Sequence, residues 1–481
     1  MRIVQAAVEF APIAKAGGLG EVVTGLSREL SRTHHDLRVF LPKYDFLKKD
    51  RLAGLRLETP SFTCQENGKS IENSMWSVEI EGCKLYLLET KHPALYFQRG
   101  KLYGCEDDAA RFLYFSRAVL EFLKSQNTPI DILHVHDWHT APMAPLARSM
   151  GVKIKATVLS IHNVEYQGKC APHELEAVGL QPKEFLDPVD PGTMNLLKGS
   201  LSHVDAIVAV SPSYAEEILS PQFGFSLDVT LREQKAKLSG ILNGIDLELW
   251  DPSKDPALRA HYSSEDAFTK VQDAKRKTRE TLGASKQMPQ MPWFGAISRL
   301  VPQKGPELIE EAIHWAVSKG ALFALLGSSP IPTMQRHFEE LKRRYHGHAQ
   351  VLIHLDYDEA LAHKLYAALH FFIVPSHFEP CGLSQLIAMH YGTVPIVRAT
   401  GGLKDTVFDQ GDSKTPASER NGFVFKEPTA EALKATLERA LHLWQTDQPG
   451  YQSLVRRGMK ANVGWREPAM KYHRLFLKLQ R

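Results

Sequence analysis

The 481-residue chain has few cysteines, and their spacing predicts neither a disulfide framework nor a zinc site. The five are Cys64, Cys83, Cys105, Cys170 and Cys381. Their number is odd, and no two of them are spaced as Cys-x-x-Cys. Apolar runs fall far short of the ~20 residues that a membrane helix needs, and Glu9 interrupts the N-terminal segment where a signal peptide would be apolar. We therefore expect a cytoplasmic protein in a reducing compartment, with no membrane partner.

An excess of one charge is also missing. The chain has 58 Lys and Arg against 55 Asp and Glu, a net charge of +3, so its overall charge gives no reason to expect a nucleic-acid partner. Hydrophobic residues make up 43% and charged residues 23%, which is ordinary for a globular protein and excludes a mainly disordered, collagen-like or coiled-coil chain. The sequence leaves the oligomeric state open.

Short apolar runs alternate with helical patterns along the whole chain, which favours parallel sheets with helices on both faces. The strands predicted from these runs are too many for one comfortable doubly wound sheet: Ile3–Val8, Leu37–Leu41, Ile130–His134, Thr157–Ile161, Ala206–Val210, Ile241–Leu242, Trp293–Ile297, Leu322–Leu326, Val351–Leu355, Phe371–Val374 and Val394–Val397. A stretch rich in Asn, Asp, Gly and Pro marks the boundary between two domains. We expect a first domain at 1–242, a linker at 243–256, a second domain at 257–455, and a helical tail at 456–481 that docks on a domain.

Ligands of open α/β sheets bind beyond the carboxyl ends of the strands, and a glycine-rich loop follows the first predicted strand. This loop, APIAKAGGLGE, contains Lys15, Gly17 and Gly18. Small residues before a helix suit phosphate or sugar-phosphate binding, although a glycine-rich turn with a solvated lysine explains them as well. The dinucleotide fingerprint does not fit, because its third glycine would fall on Val23.

Polar clusters also follow two later strands of the first domain. The run HVHDWH contains Asp137, and SIHNVEYQG contains His162. We favour a polar strand end, with Asp137 capping the next helix, over a metal site, because no carboxylate set completes one. Both residues are also suited to contacting a sugar, although a purely structural role explains His162 as well.

In the second domain, three loops carry charge or small residues just after strands. SRLVPQKG contributes Arg299 and Lys304, which suit a diphosphate leaving group, although for this loop taken alone a solvated pair of cations is the simpler explanation. PSHFEPCGLSQL contributes Glu379, Cys381, Gly382 and Leu383, and ATGG contributes Thr400 and Gly401. Two such helix starts in one domain suggest a phosphate cradle.

An Asp-x-Asp sequence at Asp356-Tyr357-Asp358 lies between a strand and a helical run. In one class of enzymes such a pair holds a divalent ion that bridges a diphosphate. Here we favour Asp358 as an N-cap, because Arg299, Lys304 and the helix termini already supply positive charge.

Together these loops resemble the bacterial glycogen synthase and plant starch synthase family. The segments that carry the resemblance cover essentially the whole chain: KAGGLGEV, LHVHDWHTA, IHNVEYQG, VSPSYAEEI, LNGIDLELWDP, SRLVPQKG, HFEPCGLSQL, ATGGLKDTV and WREPAMKYHRLF. The resemblance implies a GT-B fold, in which two Rossmann-like doubly wound domains face a central cleft and the last helix crosses back onto the first domain. It also implies retaining transfer of glucose from ADP-glucose to the non-reducing end of an α-1,4-glucan, without a cofactor or metal.

Carried over by position, the resemblance assigns roles to individual residues. Lys15 with Gly17 and Gly18 holds the donor from the first domain, while Arg299 and Lys304 neutralise the diphosphate. Glu379 engages the glucose hydroxyls, and Asp137 and His162 line the reaction centre. The remaining carried-over residues are the donor contacts Cys381, Gly382, Leu383, Thr400 and Gly401, Tyr357 as a stacking face for adenine, and Tyr96 and Asn243 near the donor or acceptor.

Two positions depart from the pattern. The lysine-glycine motif of the family usually continues to Asp, where this chain has Glu21. Many retaining GT-B enzymes carry a second Glu eight residues after the first, where this chain has Ile387; Gln385 is a candidate for part of that polar role. The alternatives are a UDP-sugar-dependent GT-B transferase and a catalytically silent glucan-binding protein, which would have no need of diphosphate cations. A dinucleotide-dependent oxidoreductase lacks its fingerprint.

Overall fold

The computed structural model describes residues 1–283 and 291–480. Within these ranges the chain divides into two compact units, one formed by 1–244 with 465–480 and the other by 245–283 with 291–464. Each unit is an α/β structure around its own sheet, which confirms the expected fold class.

The described part of the first unit contains a nine-stranded sheet in the order β11-β10-β7-β6-β1-β2-β5-β4-β3. All neighbouring strands are parallel except β3 with β4 and β4 with β5. The strands of this unit, including the separate pair β8–β9, are β1 (Arg2–Ala6), β2 (Asp36–Pro42), β3 (Arg56–Glu66), β4 (Lys69–Ile80), β5 (Cys83–Thr90), β6 (Ile130–His136), β7 (Ile154–Ile161), β8 (Lys169–Cys170), β9 (Met194–Asn195), β10 (Ala206–Ala209) and β11 (Leu238–Gly240).

Helices connect these strands, and those with apolar faces are buried against the sheet. In α1, for example, Val22, Val23, Leu26 and Leu30 are buried while Arg28 and Glu29 are partly exposed. The helices of this unit before the second unit begins are α1 (Gly18–Ser31), α2 (Asp108–Ser125), α3 (Asp137–Thr140), α4 (Met143–Met150), α5 (Pro172–Ala177), α6 (Leu196–Ser200), α7 (Pro212–Glu217) and α8 (Asp228–Glu233).

The described part of the second unit is built on a six-stranded parallel sheet in the order β14-β13-β12-β15-β16-β17. Its strands are β12 (Trp293–Ile297), β13 (Leu322–Leu326), β14 (Val351–His354), β15 (Phe371–Val374), β16 (Val394–Arg398) and β17 (Phe423–Phe425). Its helices are α9 (Phe268–Thr281), α10 (Pro306–Ser318), α11 (Pro332–Arg344), α12 (Glu359–Ala368), α13 (Ser384–His390), α14 (Gly401–Thr406), α15 (Ala430–Thr446) and α16 (Gln448–Lys460).

The stretch expected to be a linker is packed into the second unit. The ring of Trp250 stacks on that of His363 with centroids 4.1 Å apart, and the Asp255 carboxylate accepts hydrogen bonds from His363 Nδ1 at 2.7 Å and from the Tyr391 hydroxyl at 2.6 Å. At the other limit, α16 extends beyond residue 455 and contacts α13. The second unit is therefore longer at both ends than the expected 257–455.

The C-terminal segment ends in α17 (Arg466–Leu479) and packs on the first unit. Its Tyr472 hydroxyl lies 3.0 Å from Ser160 Oγ on β7. A Cβ added to Gly25 of α1 would lie 2.1 Å from Trp465 Nε1. Only glycine at position 25 therefore allows this close approach.

The sequence misses one feature of the first sheet and misplaces another. The edge formed by β3, β4 and β5 is antiparallel, and β3 is largely exposed, so it lacks the buried apolar run by which the other strands are recognised. The strand predicted at Ile241–Leu242 is instead Leu238–Gly240. Gly240 allows the strand to end against the backbone of Ser211 and Pro212, where a Cβ would clash.

Within the described ranges, no helix is both long and apolar enough to cross a bilayer.

Candidate functional site

Three loops meet at the carboxyl edge of the second sheet, and an ion pair joins two of them. Lys304, after β12, donates from Nζ to Glu379 Oε2, after β15, at 2.6 Å. Glu379 is only 5% exposed, and the Ser376 hydroxyl donates to the same oxygen at 2.9 Å. A buried carboxylate is thus held in one orientation by a cation and a hydroxyl, with its other oxygen, Oε1, available to a ligand.

The loop that carries Glu379 is fixed to the neighbouring segments by its backbone. Arg398 at the end of β16 is buried and donates from Nε to the Ser376 carbonyl at 2.7 Å, and from Nη2 to the His377 carbonyl. On the other side, Gln303 accepts from the His377 N–H at 2.8 Å and donates to the Phe378 carbonyl at 3.2 Å. These contacts place Glu379 against the turn that holds Lys304.

The glycines after β16 allow the third loop to touch the Glu379 segment directly. Gly401 has a φ of +45°, and a Cβ there would lie 2.0 Å from the Glu379 carbonyl oxygen. The N–H of Gly402 donates to that same oxygen at 3.1 Å. Gly401 and Gly402 are therefore brought beside the backbone of Glu379 and Cys381.

Gln385 stabilises the turn at Cys381–Leu383 through its side-chain amide. Its side chain is fully buried, and Nε2 donates to the carbonyls of Cys381 at 3.2 Å and Gly382 at 2.9 Å. The amide also lies 3.2 Å from the Thr406 hydroxyl. Gln385 thus orients the Cys381–Leu383 backbone, which is a different role from that of a second carboxylate.

Two other predicted residues of this unit are at the surface. Arg299 is exposed in the same turn as Lys304. Tyr357 follows β14, is 78% exposed, and donates its hydroxyl to Glu359 Oε2 at 2.7 Å. Asp358 accepts the Leu361 N–H at 2.8 Å as the N-cap of α12, which confirms the predicted cap.

In the first unit, a buried carboxylate shapes the glycine-rich loop. Glu9 is 3% exposed, and its Oε2 accepts the N–H groups of Ala16 at 2.7 Å and Gly17 at 3.1 Å. Its Oε1 accepts the Tyr103 hydroxyl at 2.6 Å. The loop is therefore fixed just before α1 begins at Gly18, and Lys15 at its outer side pairs with Glu21 at 2.5 Å.

Asp137 and His162 are brought together at the ends of β6 and β7. Asp137 Oδ1 accepts the His162 N–H at 2.7 Å. The N-cap of α3 is His136, so the expectation that Asp137 caps its own helix is wrong. Its carboxylate is used by the neighbouring loop instead, and its φ of +51° is a conformation that Asp and Asn adopt more readily than most residues.

Burial sets the charge of these groups. It raises the pKa of Asp137 to about 7, although the N–H groups of His162 and Asn163 favour the carboxylate. Burial lowers the pKa of His134, His139 and His162 to about 3 each, and that of His136 well below its usual value. The histidines of the HVHDWH segment and His162 are therefore neutral at physiological pH.

The remaining predicted residues of the first unit are Tyr96 and Asn243. Tyr96 is 6% exposed, stacks on His92 with ring centroids 3.8 Å apart, and has its hydroxyl 3.4 Å from Glu66 Oε1. Asn243 is 7% exposed, and its Oδ1 has no hydrogen-bond partner among the described residues. Tyr96 is thus part of an aromatic core, whereas Asn243 has a buried carbonyl oxygen without a partner among the described residues.

The described ranges contain no group of three or more His, Cys, Asp or Glu side chains placed to hold a metal ion. The second unit has two cations in one loop, Arg299 and Lys304, together with a buried carboxylate and backbone N–H groups at helix starts. This set suits a ligand with phosphates next to a polyol, because cations and N–H groups bind anions while a carboxylate accepts from hydroxyls.

Several supporting residues were missed by sequence reasoning, namely Glu9, Gln303, Ser376 and Arg398. Two of them could have been recognised from the sequence. Glu9 and Arg398 are charged residues at the ends of otherwise apolar strand runs, where an unpaired charge would be costly. A charge in that position predicts a buried partner even when the partner itself is not evident.

Comparison with known proteins gives two family matches that together cover most of the chain. Residues 2–233 match the family described as "Starch synthase catalytic domain", and residues 281–454 match "Glycosyl transferases group 1". These matches fall on the first and second units respectively.

Relatives that match over nearly the whole chain are named glycogen synthases. The chain is 43% identical to a glycogen synthase of Protochlamydia amoebophila, covering 99% of both chains, and 38% identical to glycogen synthase 1 of Nitrosococcus oceani, covering 100% of both. A solved structure, the catalytic domain of starch synthase IV from Arabidopsis thaliana bound to ADP and acarbose, matches with a TM-score of 0.94 and 39% identity, covering 100% of this chain and 99% of that one. The fold is therefore GT-B.

The raised pKa of Asp137 predicts a pH-dependent effect of Asp137→Asn on stability. Unfolded Asp has a pKa of ~3.9, so between that pH and about 7 the folded protein binds the proton more tightly. Folding stability then falls as the pH rises through this interval. Asn does not ionise, so the difference in Tm, variant minus wild type, should grow from pH 5 to pH 8 in scanning calorimetry. Asp50→Asn, at an exposed position, is the control and should change Tm little at either pH. A difference for Asp137→Asn that is the same at both pH values would contradict the assignment.

Proposed function

The chain belongs to the family of bacterial glycogen synthases and plant starch synthases and is a glucosyltransferase of glucan synthesis, and we propose that its donor is ADP-glucose and its acceptor the non-reducing end of an α-1,4-glucan. The observation that carries the proposal is the Lys304–Glu379 pair beside the Cys381–Leu383 and Thr400–Gly402 backbone. Phosphate and sugar recognition are thereby adjacent. The starch synthase IV relative at 39% identity is solved with ADP, which supports the choice of nucleotide.

In this proposal the second unit binds the nucleotide end of the donor. Arg299 and Lys304 neutralise the diphosphate, and the N–H groups of Gly382 and Leu383 bind the distal phosphate. Thr400 and Gly401 complete this contact, and Cys381 lines it. Tyr357 is 78% exposed and provides a face on which adenine stacks.

The sugar is assigned to carboxylates and neutral groups. Glu379 accepts hydrogen bonds from glucose hydroxyls through Oε1, which the Lys304 and Ser376 contacts leave available. Asp137 and His162 line the reaction centre, and Lys15 with Gly17 and Gly18 contacts the donor. Asn243 and Tyr96 are the weakest assignments, and the burial of Tyr96 favours a supporting role.

We propose that transfer retains the anomeric configuration by substitution on one face. The bond from glucose C1 to the diphosphate oxygen breaks, the bond from C1 to the acceptor oxygen forms, and the acceptor proton passes to the diphosphate. Negative charge grows on ADP, and fixed cations stabilise it where it develops. A Glu379 that is already paired with Lys304 suits the binding of hydroxyls better than nucleophilic attack.

We also propose that the protein acts in the cytoplasm. Among the described residues, none of the five cysteines is joined in a disulfide, and four of them are buried, as suits a reducing compartment.

The donor assignment predicts that purified protein releases ADP from ADP-glucose only when a glucan is present. A coupled assay of nucleotide release, run with UDP-glucose in parallel, should give a much slower rate for UDP. This difference in rate separates the enzyme from a UDP-sugar transferase. Release of UDP from UDP-glucose at a rate equal to or above that of ADP from ADP-glucose would overturn the assignment. A glucan-binding protein without catalysis would release neither nucleotide.

The shared role of Arg299 and Lys304 predicts non-additive effects. Each change to Ala should lower kcat/KM, with a loss of transition-state stabilisation of ~2–4 kcal/mol, as for a lost electrostatic donor. The double variant should lose less than the sum, because both cations act on one diphosphate. Lys319→Ala, which removes a surface lysine paired with Glu438, is the matched control. Strict additivity would mean that the two cations act at separate places.

The cations also predict that activity needs no divalent ion. Turnover should survive exhaustive chelation without added Mg²⁺ or Mn²⁺. Asp358→Asn should remain active, because Asn caps a helix about as well as Asp. Loss of activity in chelator that one divalent ion restores would refute the prediction.

A further inference from the structure

A chain of buried polar side chains runs from α1 through β1 and β6 to the end of β7. Ser27 Oγ donates to Gln5 Oε1 at 2.7 Å, Gln5 Nε2 lies 2.8 Å from His136 Nε2, and His136 Nδ1 lies 2.9 Å from His162 Nε2. Ser27 and Gln5 are fully buried, and His136 is 1% exposed. Three hydrogen bonds therefore connect the Ser27 hydroxyl to a ring in the candidate site.

The chemistry of these groups gives the chain a direction. An amide nitrogen only donates, so His136 Nε2 accepts from Gln5. The buried His136 ring is neutral, so its single N–H is on Nδ1 and donates to His162 Nε2. His162 is neutral too, which leaves its own N–H on Nδ1.

We propose that Gln5 is a positioning residue that acts through His136 to hold His162 as the neutral Nδ1–H tautomer. His162 is partly exposed, so its Nδ1–H is the group that it offers to a ligand. The inference rests on the proposed function in one respect, the placement of His162 beside the donor sugar. There an N–H donor suits a hydroxyl oxygen, and a ring without charge avoids repelling the positive charge that develops on the sugar.

The groups packed around the relay leave this direction in place. His134, two residues before His136 on β6, has its ring centroid 4.3 Å from that of His136. It bonds through Nε2 to Ser160 Oγ of β7 at 2.8 Å, and Ser160 in turn contacts the Tyr472 hydroxyl of α17. Asp137 contacts the His162 backbone N–H. The relay is therefore neutral along its length, with Asp137 as the titratable group beside its end.

Two near-isosteric substitutions test the direction. In Gln5→Glu, the new carboxylate accepts from His136 Nε2–H, so His136 Nδ1 becomes an acceptor and draws the proton of His162 to Nε2. In Gln5→Met, no group imposes a direction. We expect kcat to fall by about 10-fold or more in Gln5→Glu, since the hydrogen bond of His162 to the sugar is lost, and less in Gln5→Met. KM for ADP-glucose should change less than kcat in both.

The pH profile distinguishes a directed relay from a packing effect. Adding one proton to the new carboxylate and His136 together restores an N–H on His136 Nδ1, whichever of the two groups binds it. The kcat of Gln5→Glu should therefore recover as the pH is lowered from 8.5 to 5.5 relative to wild type. Gln5→Met has no added titratable group and should show no such recovery. Equal pH profiles for the two variants would overturn the proposal.

The tautomer itself is measured without substrate. In protein labelled with ¹⁵N-histidine, the His162 signals are assigned by their loss in His162→Gln. Wild type should show the Nδ1–H form, and Gln5→Glu the Nε2–H form. An Nε2–H tautomer in wild type, or no change in Gln5→Glu, would refute the relay, as would a reversed tautomer with unchanged kcat. Failure to use ADP-glucose in wild type would instead refute the proposed donor, and the substrate-free spectra would still decide the direction.

Discussion

Parallel strands bring all of their carboxyl ends to one edge of a sheet, and in both units this constraint gathers loops that are far apart in sequence. In the second unit it places Lys304 within 2.6 Å of Glu379, 75 residues later. In the first it places Asp137 against the N–H of His162. The close backbone contact between Gly401 and Glu379 is possible for the same reason, because β15 and β16 are neighbours in register. Remove the parallel order and none of these groups would meet.

The two units treat charge differently. The second has Lys304 and the buried Glu379 in contact, so under the proposed function an incoming phosphate competes with Glu379 for Lys304, which couples recognition of phosphate to recognition of sugar. In the first, burial keeps His136 and His162 neutral and raises the pKa of Asp137 to about 7. One unit is thus suited to an anionic leaving group. The other is suited to a sugar on which positive charge develops, where a second cation would be unfavourable.

How much of this was predictable depends on the range of the interactions. Buried parallel strands such as Trp293–Ile297 and the loops after them follow from apolar runs and their polar ends, and the prediction matches the structure there. The antiparallel edge does not, because β3 is mostly exposed and alternates too weakly. The support from Glu9 to the glycine loop, and from Gln5 to His162, depends on side-chain orientation and on pairing over long sequence distances. The sequence shows only that a polar residue occupies a strand, not which atom it contacts.

Glu379→Gln tests most directly the proposal that Lys304 and Glu379 divide the recognition of phosphate and sugar between them. The measurement is kcat with ADP-glucose and glycogen together with the Kd for ADP by calorimetry on the same preparation. We predict that kcat falls by ~10² or more, because a contact that strengthens in the transition state is weakened. ADP should bind as tightly as before or more tightly, because Lys304 no longer shares its charge with a carboxylate. A near-normal kcat, or a parallel loss of ADP binding, would contradict it.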